Sequence, residues 1–178
     1  MCKDIQYYIL YKLIIILGGL SMKNVFLLLT ISFFVGCEDD KGNSEDEKMA
    51  EDIWQEIQGY SNWDQTVDWT DIKSSLDGTH GNFVQIWLNQ EALPSFEDSI
   101  STDLPYGSIS VKEGYSSSDG SSINTITVMK KIEGFDPDHG DWFWASFDTN
   151  GDVNKAGSVS SCYNCHISGI DYIKFKSH

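Results

Sequence analysis

Two thiols and an imidazole stand almost together late in the chain, as Cys162-Tyr163-Asn164-Cys165-His166. Cysteines in a C-x-x-C spacing can reach the two vinyl groups of one porphyrin from a single turn of chain, and the imidazole that follows then falls under the iron. The pattern therefore reads as attachment of one c-type heme, with thioethers from Cys162 and Cys165 and a proximal bond from His166. Other uses of these residues fit less well. A tetrahedral zinc site needs four ligands, and outside the motif the chain holds only His80, His139 and His178, with no second C-x-x-C and no H-x-x-x-H. A thioredoxin-like pair would be followed by a helix and further strands, for which too few residues follow His166. A structural disulfide between Cys162 and Cys165 stays open as the alternative in an exported protein.

Export is read from MKNVFLLLTISFFVGC, which begins at Met22: a lysine, an apolar run from Val25 to Val35, then Gly36 and Cys37. This is the pattern of a secretory leader. Phe34-Val35-Gly36-Cys37 resembles a bacterial lipobox, in which cleavage precedes the cysteine and its thiol and amine are acylated. An ordinary leader or a single membrane helix is the alternative. Met1 to Ser21, with a second apolar run from Ile5 to Leu20, reads as an over-called start, with a longer leader as the alternative. The expected organisation is a leader over 1–36, an acidic tether over 37–50 lipidated at Cys37, and a heme-binding domain over 51–178. The expected location is the bacterial cell envelope, on the exported side of a membrane held through the lipid. Asp39 favours inner-membrane retention under one bacterial group's sorting rules, while acidic runs direct lipoproteins to the surface in others.

A chain of 178 residues suffices for one domain with a real core. Its 12 basic residues are all lysine, against 27 acids, for a net charge of -15. Such a chain repels a phosphate backbone, so nucleic acid is excluded as a partner. Removal of 1–36 would leave 9 lysines and 26 acids. The absence of arginine also argues against peroxide cleavage of the kind in which an arginine beside a distal histidine stabilises developing charge.

Around these residues the pattern is mainly of strands. AEDIWQEIQGY places Ile53, Trp54 and Ile57 on one face of a short helix with Gly59 near its stop. The runs NFVQIWLN, GSISVKEGY, SINTITVMKKIEGF, DWFWASF and IDYIKF read as strands. SSSDGSS, DPDHG and DTNG read as the connections between them. In DWFWASF both alternate faces are apolar, Trp142 and Trp144 against Phe143, Ala145 and Phe147, so this strand is covered on both sides. The expected fold is α+β and mainly β: an antiparallel sheet of about five strands, flanking helices on one face and the heme packed on the other. Trp142, Phe143, Trp144, Phe147 and Tyr172 could supply flat apolar surface for a porphyrin or serve as ordinary core. DTNGD, from Asp148, lacks the glycine and glutamate of an EF-hand loop at the sixth and twelfth positions and reads as a turn. His139 and Asp141 likewise read as turn residues.

The segments VKE, GFDPDHGDWFW, CYNCH and DYI, in this order and preceded by THGNFVQIWLNQEAL, resemble the cytochrome P-460 and cytochrome c′-beta family over roughly 79–175. The resemblance implies a mostly antiparallel β domain, a single heme c, a five-coordinate iron with an open distal side, and a homodimer. Cytochromes P-460 oxidise hydroxylamine and bind nitric oxide, and a lysine of theirs is joined to the porphyrin; the matching residue here is Lys112. Cytochromes c′-beta share the fold and bind diatomic gases without that link. Alternation puts Ser108, Ser110 and Lys112 on one face, opposite Ile109 and Val111. Hydroxylamine oxidation also removes protons, so a distal base should help, yet Ala156 to Ser161 contains no carboxylate. The expected function is thus that of a cell-envelope heme protein acting on a small nitrogenous ligand or substrate, with a redox partner protein. The competing reading is an electron carrier whose iron is closed by a sixth ligand such as Met129.

Overall fold

The computed structural model describes residues 44–97 and 103–174. The leader and Cys37 lie outside the described residues. The chain forms a helix α1 (Ser44–Glu56), strands β1 (Lys73–Ser74) and β2 (Phe83–Leu88), a short helix α2 (Leu93–Glu97), strands β3 (Ile109–Tyr115), β4 (Ile123–Lys131), β5 (Trp142–Phe147) and β6 (Val153–Gly157), and a helix α3 (Ser160–His166). The six strands make one antiparallel sheet in the order β1-β2-β3-β4-β5-β6, so each strand pairs with its neighbour in sequence. Short connections suffice for such a meander. The Asp148 carboxylate, for example, accepts the backbone N–H groups of Asn150 and Asp152 and closes the turn between β5 and β6.

Three details differ from the sequence expectation. α1 begins at Ser44, inside the stretch read as tether. Glu45, Asp46 and Glu47 sit in its first turn, where negative charge meets the positive end of the helix dipole, and Ala50 and Ile53 give the helix a buried side. Over its described residues, 170–174, IDYIKF is not a strand: only an isolated bridge joins Ile170 and Ile173, and the chain there turns through positive φ at Asp171 and Tyr172. The strand that completes the sheet is instead Val153–Gly157, with the two-residue β1 at the other edge.

The two faces of the sheet do different work. On one, Ala50, Ile53 and Ile57 of α1 and the turn after it meet Ile109, Val111, Ile126, Val128, Phe143, Ala145 and Phe147 in a core. Trp54 lies against Phe147 with ring centroids 5.0 Å apart. Glu113, also buried, accepts the hydroxyls of Tyr60 and Tyr115. Burial, together with those bonds to Glu113, raises both phenols above their ordinary range. On the opposite face Trp142 and Trp144 join Leu88, Leu104, Val159 and Ile173. The alternation in DWFWASF is therefore realised as read, and Phe143 and Phe147 belong to the α1 core rather than to the cavity face.

Candidate functional site

Strand register aligns one row of side chains across the second face: Ile86 opposite Lys112, Lys112 opposite Thr127, Thr127 opposite Ser146, and Ser146 opposite Lys155. A parallel row runs through Ser110, Met129 and Trp144. These rows floor a partly open cavity of about 290 Å³, lined elsewhere by Trp69, His80, Phe96, Ile173, Lys174 and the face of α3 that carries Cys162, Cys165 and His166. Residues three and four apart on a helix lie on one side of it, so the C-x-x-C-H spacing puts both sulfurs and the imidazole on the same wall. Cys162 and Cys165 are thiols, not joined to each other.

His166 is held in the form a metal ligand needs. Its Nδ1 lies 2.8 Å from the carbonyl of Tyr172. A carbonyl only accepts, so Nδ1 carries the proton and donates it. Burial pushes the ring's pKa down, the Tyr172 bond opposing this in part, and with the ring neutral the lone pair is on Nε2. Trp144 packs on the same ring, centroids 4.9 Å apart.

Lys112, on the strand face opposite Ile109 and Val111, lines the floor of the cavity; alternation alone suited a solvated lysine there equally well. Loss of hydration pushes its ammonium down from about 10.5 to about 8, so that roughly a tenth is neutral amine at pH 7, against almost none for an ordinary lysine. Met129 also lines the cavity. His139 and Asp141 are turn residues: His139 pairs with Asp136 and stacks on Tyr163 at 3.7 Å, and Asp141 accepts the hydroxyl of Tyr106 and the backbone N–H of Asp136.

His80 is the site residue that the sequence reading left without a role. Its ring stands edge-on to His166, centroids 6.1 Å apart, with Nδ1 3.3 Å from Thr127 Oγ1. Burial first, then the charge of Lys112, pushes it down to about 3, so it is a neutral imidazole. Gly114 makes this placement possible, because a Cβ there would lie 1.6 Å from the carbonyl oxygen of His80. The signal was available only in part: HG stands in THGNFVQIWLN, but the crossing over β3 depends on register.

The donor set fits a heme. The walls include flat apolar side chains, the two thiols stand beside a proximal-type imidazole, and Trp144 Nε1–H is buried with no acceptor among the described residues. The charge fits too. In a chain of net charge -15, the described cavity wall carries Lys112, Lys155 and Lys174 and no carboxylate, an environment suited to the porphyrin's two propionates. A family model described as Cytochrome P460 matches residues 57–172. No curated protein matches the chain.

Proposed function

The chain belongs to the cytochrome P460 family of heme cytochromes, and on that premise we propose that it holds one covalent heme c and binds small nitrogen species, nitric oxide or hydroxylamine, at an open distal side. Cys162 and Cys165 are the thioether residues and His166 is the proximal ligand, its Nε2 presented by the hydrogen bond from Nδ1 to Tyr172. The Ser110–Met129–Trp144 and Lys112–Thr127–Ser146 rows would hold the porphyrin, and Lys155 and Lys174 would meet its carboxylates. Bound there, the heme supplies a redox-active iron with one position for a diatomic gas or hydroxylamine.

The observation that carries the reading is the convergence on one cavity wall of the C-x-x-C-H side chains with a neutral, lone-pair-bearing His166. A second observation favours the oxidising branch of the family: Lys112 shares that cavity as a depressed, partly neutral amine, the state in which a lysine can form a bond to the porphyrin edge. Against turnover stands the lack of a carboxylate in the described wall, which leaves His80 as the imidazole nearest His166. Binding is therefore the core of the proposal and hydroxylamine oxidation its extension. We read Cys37 as the lipid anchor and the domain as exported into the cell envelope, with a redox partner protein and a second copy as its associates.

Denaturing mass spectrometry of protein matured in a host competent for c-type heme tests the attachment. The expected mass is that of polypeptide plus one heme, lost in Cys162→Ala/Cys165→Ala. A Cys162–Cys165 disulfide without heme would overturn the proposal.

A further inference from the structure

The turn that follows the heme motif has an unusual backbone. Asp171 and Tyr172, neither of them glycine, take φ of 47° and 62° in succession. Left-handed residues of this kind persist only where their surroundings hold them. Here the hold is on Asp171. Its Oδ2 accepts Lys131 Nζ–H at 2.6 Å and the backbone N–H of Leu104 at 2.7 Å. Trp142 Nε1–H is shared between the Asp171 carbonyl at 3.0 Å and Oδ1 at 3.2 Å. Lys131 ends β4 and Trp142 begins β5, so one carboxylate fastens the turn to the sheet.

The ion pair is nearly closed to solvent, with side-chain exposures of 7% for Lys131 and 3% for Asp171. A buried pair of this kind is a weak source of net stability, since desolvation offsets most of its attraction. Its effect on position is plainer. With Asp171 pinned on both its side chain and its carbonyl, the next carbonyl, that of Tyr172, faces His166 Nδ1 at 2.8 Å.

We propose that Asp171 is a positioning residue for the heme iron: through Lys131 and Trp142 it fixes the Tyr172 carbonyl, and so sets the strength of the hydrogen bond that makes His166 a basic, correctly turned ligand. This rests on the heme reading above. A stronger bond from Nδ1–H gives the imidazole more anionic character, which favours ferric iron and stiffens the iron–nitrogen bond. Asp171 thereby lowers the midpoint potential without touching heme or substrate.

The test uses the full chain carrying heme. Trp142→Phe removes the indole donor and, the ring being fully buried, also leaves a cavity; Asp171→Asn keeps the shape but not the charge, and Asp171→Ala removes the clamp. Lys130→Met, which breaks the surface pair of Lys130 with Glu56, is the control for a stability effect alone. The readouts are the midpoint potential, the iron–histidine stretching band of the ferrous protein by resonance Raman, and the melting temperature. The expected result is a potential that rises, and a band that moves to lower frequency and broadens, in the order Trp142→Phe, Asp171→Asn, Asp171→Ala, with neither moving in Lys130→Met. Folded Trp142→Phe and Asp171→Asn proteins with wild-type potential and band would overturn the inference, whatever their melting temperatures. A wild-type protein without thioether-bound heme would overturn the functional reading as well, and the mass spectrum distinguishes that failure from the first.

Discussion

Cys162, Cys165 and His166 were legible as a unit because the three residues that must meet are neighbours in the chain, and one helical turn is enough to bring them to one wall. Lys112 was legible in its facing, because strand alternation has a period of two, and unreadable in its depth, which comes from the strands and helix packed around it. His80 was legible only in part, and the bonds of Asp171 not at all, since their partners lie 47 and 40 residues away in Thr127 and Lys131. The pKa of Lys112 gives a direct check at this scale. Its folded value of about 8 lies below the ordinary 10.5, so the unfolded chain binds more protons between those two values. Folding of the heme-free protein should therefore gain stability as pH rises from about 8 to about 10.5, and carry the full penalty of a buried ammonium below that window. Urea unfolding across this range should show a slope that Lys112→Met lacks. Identical pH profiles would mean that the ammonium stays hydrated in the cavity.

At the scale of elements, the strands from β2 to β5 follow from alternation and turn residues, whereas β6 did not announce itself. VNKAG is short and half polar, and it is a strand because DTNG folds it back on β5. IDYIKF shows the reverse: its apolar residues suit a strand, but bonds to Asp171 hold the segment in a turn. The extra turns of α1 were hidden by charge, because its acids look like a solvated tether until Ala50 and Ile53 find the sheet. Ile53→Ala should cost about 2–5 kcal/mol in urea unfolding, as a cavity in that core would. A loss under about 0.5 kcal/mol, the range of ordinary surface changes, would show that α1 is not a structural part of the domain. Gly114→Ala should be severe for a different reason. The new methyl cannot share space with the His80 carbonyl, so either the His80 loop or β3 must move, and the melting temperature should fall together with a change in ligand-binding rates at the iron. A variant that melts and binds like the wild type would mean that the crossing is looser than the register implies.

At the scale of the molecule, an acidic chain reserves three of its 12 lysines for one cavity, and the sheet separates that cavity from the core that stabilises it. Among the described residues no helix is long and apolar enough to cross a bilayer. Cys37→Ser should release the exported domain into the soluble fraction, because several acyl chains anchor firmly at about 0.8 kcal/mol per buried CH₂. An unsubstituted protein already soluble after export would remove the lipid from the account. The central claim, a heme c on His166 with an open distal side, is tested most directly by the absorption spectrum of the reduced, heme-loaded protein before and after nitric oxide is added. The account predicts a high-spin, five-coordinate spectrum that changes on addition of the gas, with a broad Soret band shifted to the red where Lys112 is joined to the porphyrin and an ordinary c-type position where it is not. A sharp six-coordinate, low-spin spectrum that nitric oxide leaves unchanged would contradict it, and would make the protein an electron carrier closed by a residue such as Met129.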